Sequence, residues 1–330
     1  MPPVARTAGV GLTVAAIDCG TNSTRLLIAR GDGSTVDRRM RITRLGEGVD
    51  RTGLLSPQAI ARTLAVLEEY REAMEREGVS RAFATATSAV RDAGNAEGFL
   101  GPAARVIGFE PRVLSGAEEG RLSYSGATAE LDADAGPWLV VDVGGGSTEL
   151  VTSVVGEVEA VSLDVGCVRV TERWLASDPP AASEVAAARS YVADLTRQAA
   201  SQHPAFVSSS AGTSYTTAAA GARSPRGLVG LAGTVSALAV LALGLDSYDR
   251  EAVHHARLPR AEVSRLFGEL AQVPVTERRR RRGMEHDRAD VLVGGALVLD
   301  TVMDVLGFEE LTVSESDILD GIVAELLEPC

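Results

Sequence analysis

One short stretch occurs twice in this chain, and the duplication constrains the fold more than any other feature. The segment Ile17-Asp-Cys-Gly-Thr-Asn-Ser-Thr-Arg-Leu-Leu aligns without gaps to Val141-Asp-Val-Gly-Gly-Gly-Ser-Thr-Glu-Leu-Val. Asp18 matches Asp142, Gly20 matches Gly144, Ser23-Thr24 matches Ser147-Thr148, and Leu26 matches Leu150. Each copy reads as an apolar strand, an Asp at its end, a tight glycine-containing turn and a second apolar strand. Two such units imply two similar domains facing each other across a cleft.

The intervening segments alternate between strand and helix patterns. Leu12–Ile17 and Thr24–Ala29 read as strands around the first turn, and Trp138–Val143 opens the second unit. Ile60, Leu64, Leu67 and Met74 recur at helical spacing within Gln58–Glu77, with Ser56-Pro57 as N-cap and first-turn proline. Arg81–Thr85 and Glu110–Leu114 read as strands. Asn95–Ala104, Glu118–Ala129 and Pro179–Ala200 read as helices. Val229–Leu243 holds a Gly-Thr turn and a helix, Thr312–Ser314 a last strand, and Asp317–Leu327 a last helix. Pro204–Arg226 has loop composition. This alternation indicates an α/β architecture.

With 330 residues, of which 45% are hydrophobic, the chain has material for about two domains. No apolar run reaches the roughly 18 residues that span a bilayer, so no membrane association is expected. Met1–Gly9 carries one Arg and no apolar core, which excludes a signal peptide pattern. Cys19, Cys167 and Cys330 are odd in number and widely spaced, which argues for a reducing compartment. A cytoplasmic location is expected. The chain has no Lys: its basic side chains, apart from four His, are all Arg. A phosphate clamp must therefore use Arg, backbone N–H groups or a metal. The net charge of −13 disfavours nucleic acid as a partner, and a polyanionic substrate would need local positive charge and cations.

The turn Asp142-Val-Gly-Gly-Gly-Ser-Thr-Glu149 carries the clearest chemistry. Gly144, Gly145 and Gly146 let the backbone approach a ligand and aim N–H groups at phosphate oxygens. Ser147 and Thr148 add hydroxyl donors. Asp142 and Glu149 flank the turn and can hold Mg²⁺, which favours one or two carboxylates plus substrate phosphate. A flexible Gly-Ser hairpin is the alternative. The first unit offers Asp18 and the phosphate-binding candidates Thr21, Asn22 and Ser23. In Ser115-Gly-Ala-Glu-Glu-Gly, one carboxylate can cap a helix while the other faces a cleft as a general base. From spacing alone, the simpler reading is that both favour the helix N-terminus. Arg91 follows a strand in a Ser/Thr-rich loop suited to oxyanions. Gly233-Thr234 starts a helix that can receive phosphate, or forms a plain cap. The run Arg278–Arg282 could guide a polyanion, although charge runs are usually solvated faces. Arg282 and Arg288 to Asp290 are candidates for the cleft wall. His254, His255 and His286 lack metal-site spacing.

Asp-x-Gly-Thr-Asn-Ser, Thr-x-x-x-Arg, Ser-Gly-x-Glu-Glu, Asp-x-Gly-Gly-Gly-Ser-Thr-Glu and Ala-Gly-Thr occur here in that order. Over Ala15 to about Val323 the sequence resembles the exopolyphosphatase/guanosine-pentaphosphate phosphatase (Ppx/GppA) family of the actin-like ATPase superfamily. The resemblance implies two ribonuclease-H-like domains with the active site in the interdomain cleft. The expected division is residues 1–127 plus about 315–330 as the first domain and 128–314 as the second. Glu119 matches the family's catalytic base. Asp142 and Glu149 match the residues that position magnesium and water, with Asp18 as a further ligand candidate. Gly144 to Ser147 match the phosphate loop, and Asn22 and Arg91 match phosphate-binding residues. The implied activity is Mg²⁺-dependent hydrolysis of terminal phosphate from linear polyphosphate, with Mn²⁺ as a substitute cation and a homodimer as the family-level assembly. Larger members carry a further C-terminal helical region, and the end at Cys330 implies a preference for shorter chains. Asp317-Ile-Leu-Asp-Gly departs from relatives that place Arg before Glu-Gly. The competing expectations are a guanosine pentaphosphate 5′-phosphatase, tied to the stringent response, and a sensor that binds polyphosphate or nucleotide without turnover.

Overall fold

The computed structural model describes residues 11–132, 135–154, 156–208 and 224–328. The stretch Met1–Gly9, Cys330 and most of the expected loop Pro204–Arg226 lie outside the described residues. Among the described residues no helix is long and apolar enough to cross a membrane.

The repeat becomes two sheets of matching topology. The first contains β1 (Thr13–Cys19), β2 (Ser23–Arg30), β3 (Thr35–Ile42), β4 (Arg81–Ala86) and β5 (Arg112–Val113), in the order β3-β2-β1-β4-β5. The second contains β6 (Trp138–Val143), β7 (Thr148–Val154), β8 (Glu157–Leu163), β9 (Gly227–Leu231), β10 (Arg257–Pro259) and β11 (Glu310–Val313), in the order β10-β11-β9-β6-β7-β8. In each, a three-stranded antiparallel meander is followed by two strands parallel to its first member, β4 and β5 in one and β9 and β11 in the other, and β10 adds antiparallel at the edge of the second sheet. The registers match too: Asp18 pairs with Arg25 in one sheet and Asp142 with Glu149 in the other.

Side-chain alternation sends each strand into two cores. Ala15, Ile17 and Cys19 point toward helices Pro57–Arg76 and Glu97–Ile107, where Leu67, Tyr70 and Phe99 are fully buried. Val14 and Ala16 face the opposite side and meet Leu122, Ile318 and Ile322. In the second sheet Leu139, Val141 and Val143 join the larger core, while Val140 and Val151 pack with Ala127. Helices Gly116–Thr128 and Ile318–Leu327 therefore fill the layer between the sheets. They cross closely because Gly126 lies against the Asp317 carbonyl and Gly321 against the Leu122 carbonyl, where a Cβ would sit 2.0 and 2.1 Å from those oxygens. The final helix thus packs on β1, β2 and β4, far from it in sequence.

Ion pairs tie the two units at the other rim of the cleft. Arg173 bonds Asp50 at 2.7 Å, Arg44 bonds Asp290 at 2.8 Å, and Arg169 bonds Asp92 and Asp50. The Gly48 N–H donates to Glu172 at 3.1 Å.

Several elements lie beyond the strand and helix patterns read from the sequence. Strand β3 is polar, and no residue in it is fully buried. Helix Leu292–Leu306 is buried almost all round, so its apolar residues show no stripe. The five arginines from Arg278 are mostly structural. Arg278 is buried and binds Asp178 at 2.8 Å, Arg281 binds Glu269 at 3.1 Å, and Arg282 pairs with Asp246.

Candidate active site

The two repeated turns meet edge to edge. A Cβ on Gly145 would stand 2.9 Å from the Thr21 Cβ and 3.1 Å from the Asn22 nitrogen. Glycine is required there because two backbones approach with no room for a side chain. Both turns are held from behind through their carbonyls. Gly144 and Gly145 accept from the Cys167 and Val168 N–H groups at the start of helix Cys167–Trp174, each at 2.9 Å. Thr21 accepts from the Gly46 N–H at 2.8 Å, and Asn22 accepts from Thr43 and Arg44 at 3.1 and 2.9 Å. A planar trans peptide points its N–H opposite its C=O. The N–H groups of Asn22, Ser23, Gly145 and Gly146 therefore turn away from those anchors. The buried Asn22 amide nitrogen has no hydrogen-bond partner within the protein, a donor left for a ligand.

One cavity opens between the turns. Asp18, Thr21, Asn22, Ser23, Glu119, Asp142, Gly144, Gly145, Ser147, Gly233 and Thr234 line it, so most of the expected residues converge. Three do not line it. Gly146 packs under Thr21 and Ser88, whose hydroxyls share a hydrogen bond of 2.8 Å. Glu149 is buried beside Asp142 on the neighbouring strand and accepts from Ser162 at 2.7 Å. Arg91 donates to the Leu114 carbonyl at 2.9 Å and lies 3.4 Å from Glu119, so it touches the carboxylate expected to act as base.

Helix Gly116–Thr128 sorts its two adjacent glutamates. Glu118 closes a capping box with Ser115, accepting its N–H at 2.9 Å. Glu119 points into the cleft. The helix lies close to the second sheet because Gly120 packs on Val151, where a Cβ would come within 2.8 Å. That approach also lets Ser123 donate to Asp142 at 2.9 Å.

The electrostatics are those of crowded, desolvated carboxylates. Burial raises Glu119 well above the usual carboxylate range, and the charges of Glu149, Asp18 and Asp142 raise it further, against the pull of Arg91. Burial pushes Glu149 up to about 8, with Asp142 adding to it. Burial pushes Asp142 up to about 6, against Arg25 and the Ser123 hydrogen bond. Asp18 is compensated differently: Arg25 binds it at 2.7 and 3.2 Å, and Thr85 donates to it at 3.0 Å. Excess negative charge with hard oxygen donors suits a divalent cation such as Mg²⁺. These carboxylates do not form a closed cage. Among the described residues, the only three His, Cys, Asp or Glu groups whose donors lie within 4.8 Å of one another are Glu130, His254 and His255. A cation in the cleft would complete its coordination with water and substrate.

His254 and His255, which lack metal-site spacing in the sequence, do meet a carboxylate in the fold, since Glu130 arrives from a distant helix end. It is nonetheless a hydrogen-bonded group. His254 Nδ1 accepts the Glu315 N–H at 3.0 Å, which leaves its proton on Nε2, facing Glu130 at 3.3 Å.

Other polar side chains at the cavity include Arg25, Ser123 and Ser88, which were not singled out from the sequence, and Arg288, which was expected at the cleft wall. Arg25 stands opposite Glu149 in the repeat, a reversal of charge that marks it. Arg288 lies over Gly233, where a Cβ would meet its guanidinium. Ser88 belongs to the Ser/Thr-rich segment after β4, whereas Ser123 carries no sequence signal, because helix packing alone brings it in.

The sequence model of the Ppx/GppA phosphatase family matches residues 27–329. Exopolyphosphatase 2 of Mycobacterium tuberculosis is 41% identical over 329 residues, covering 95% of this chain and 98% of that protein. Among solved structures, an exopolyphosphatase-like protein superposes with a TM-score of 0.86 at 34% identity, over 96% of this chain and 98% of the other. The Ppx/GppA protein of Aquifex aeolicus superposes with a TM-score of 0.76 at 32% identity, over 96% of this chain and 98% of that one.

Proposed function

The chain belongs to the Ppx/GppA phosphatase family, and from that premise we propose that it is an exopolyphosphatase, removing the terminal phosphate of linear inorganic polyphosphate by direct attack of water. The observation that carries this reading is the convergence of Glu119, Asp142 and residues of both turns on one cavity.

In this mechanism the N–H groups and hydroxyls of both turns hold the terminal phosphoryl oxygens. Arg288 and the start of helix Ala232–Ala242, at Gly233 and Thr234, support the next phosphate. Asp142 would hold Mg²⁺ from the cavity wall, with Glu149 on the adjacent strand and Asp18 across the cleft orienting its waters. Bound there, the cation would offset phosphate charge and draw the raised carboxylates back into their ionised forms. Glu119 accepts a proton from the attacking water, and Arg91 fixes its carboxylate. Charge stabilisation by positioned donors does most of the work, as in phosphoryl transfer generally.

A second reading has its own observation. A cavity of about 370 Å³ adjoins the cleft and shares Arg25, Met40, Ala232, Gly233 and Arg288 with it. Its walls include Tyr248, Val240 and Leu319. It offers apolar surface to a base, which supports guanosine pentaphosphate as an alternative substrate. The names of the relatives favour polyphosphate. The test is phosphate release with Mg²⁺ from polyphosphate and guanosine pentaphosphate in parallel. Chelator-sensitive release from polyphosphate supports the first reading, and release from the nucleotide alone moves the assignment to the second.

A further inference from the structure

The cavity beside the cleft is rich in arginine in a chain of net charge −13. Its walls carry five arginines, Arg25, Arg38, Arg39, Arg250 and Arg288, against three carboxylates. A phosphate chain whose end lies in the cleft would extend toward them. Yet two of these guanidiniums are already engaged by a single side chain. Asp317 places one oxygen 2.6 Å from Arg25 Nη1 and the other 3.1 Å from Arg38 Nη2. It sits at the wall of the second cavity and is nearly buried.

We infer that Asp317 is a specificity-determining residue: it occupies Arg25 Nη1 and stands against Arg38 Nη2, positions that the inner phosphates of a polyphosphate chain would take, so substrate binds these arginines by displacing it. This rests on the reading of the cleft as a polyphosphate hydrolase. Carboxylate and phosphate compete for the same donors of a guanidinium fork. A fixed carboxylate beside an incoming phosphate also adds like-charge repulsion. The arrangement isolates this effect, because each arginine keeps a second acidic partner. Asp18 holds Arg25 at 2.7 Å, and Asp320 holds Arg38 at 2.8 and 2.9 Å. Both guanidiniums therefore stay near their positions when the Asp317 charge is removed. Asp317 also caps the final helix by accepting the Leu319 N–H at 2.9 Å, a role Asn fills as well.

The test compares wild type with Asp317→Asn, Asp317→Glu and Asp320→Asn on tripolyphosphate and long-chain polyphosphate. Asp317→Asn should lower KM about tenfold, with the change carried by KM rather than kcat. Asp317→Glu, which keeps the charge, should hold the wild-type KM. Asp320→Asn should change KM less, because of the two arginines Asp320 pairs only with Arg38, and it is more exposed. Arg38→Gln gives a second handle and should raise KM. An unchanged or raised KM in Asp317→Asn overturns the inference and leaves Asp317 a cap and cross-link only. Equilibrium binding of polyphosphate to the same variants decides the matter even if wild type releases no phosphate, the result that would defeat the functional reading itself.

Discussion

Substituting Gly145 by alanine would press the two turns apart. The added Cβ would stand 2.9 Å from the Thr21 Cβ, 3.0 Å from its Cγ2 and 3.1 Å from the Asn22 backbone nitrogen. Ordinary carbon contacts begin near 3.4 Å. The backbones must therefore separate by about half an ångström, and neither can yield by rotating a flexible side chain. Misplacement of catalytic groups by about 1 Å can cost about 100-fold, so half of that should lower kcat/KM by about tenfold or more. The overpacking itself should cost about 1–3 kcal/mol of stability. Steady-state phosphate release and thermal unfolding measure the two effects. Gly268 is the control. It lies within helix Arg260–Ala271 with nothing within 4 Å of an added Cβ, so Gly268→Ala should leave activity intact and add about 0.5–1 kcal/mol of stability. Activity in Gly145→Ala within twofold of wild type would refute the claim that the turns act as one closely joined site.

Two further outcomes follow from the carboxylates. Asp142 and Glu149 have folded pKa values raised to about 6 and about 8, above those of the unfolded chain. The folded state holds more protons there, so stability declines as pH rises through those values. A divalent cation replaces the lost protons, and the rise in Tm on adding Mg²⁺ should be larger at about pH 8.5 than at about pH 6. An equal or smaller rise at the higher pH contradicts the cation site. Ser123→Ala removes the hydrogen bond that orients Asp142. The Mg²⁺ concentration needed for half-maximal activity should then rise about 10- to 100-fold, read from a metal titration at saturating substrate.

Much of this molecule was legible in the repeat. Asp18 and Asp142 with their glycine turns recur as equivalent strand ends, and the topology of the two sheets repeats around them. Helix Pro57–Arg76 announced itself by stripe and cap, and Ser56 does accept the Ala59 N–H at 3.1 Å. Periodicity fails where burial is uniform, as in helix Leu292–Leu306, and where an edge strand is polar, as in β3. Pairings distant in sequence are invisible for another reason. Nothing local ties Arg25 to Asp317, Glu130 to His254, or Ser123 to Asp142, because only the packing of helices between the sheets creates those contacts. Arg91 illustrates the limit of residue type alone: an arginine in an oxyanion-like loop turned out to contact Glu119 rather than line the cavity.

The most direct test of the account is phosphate release by Glu119→Gln from polyphosphate at saturating Mg²⁺. Removing the base while keeping the side chain's shape should lower kcat by about two orders of magnitude or more, with polyphosphate still binding. Turnover near the wild-type rate would remove Glu119 from the chemistry and with it the mechanism built around this cleft.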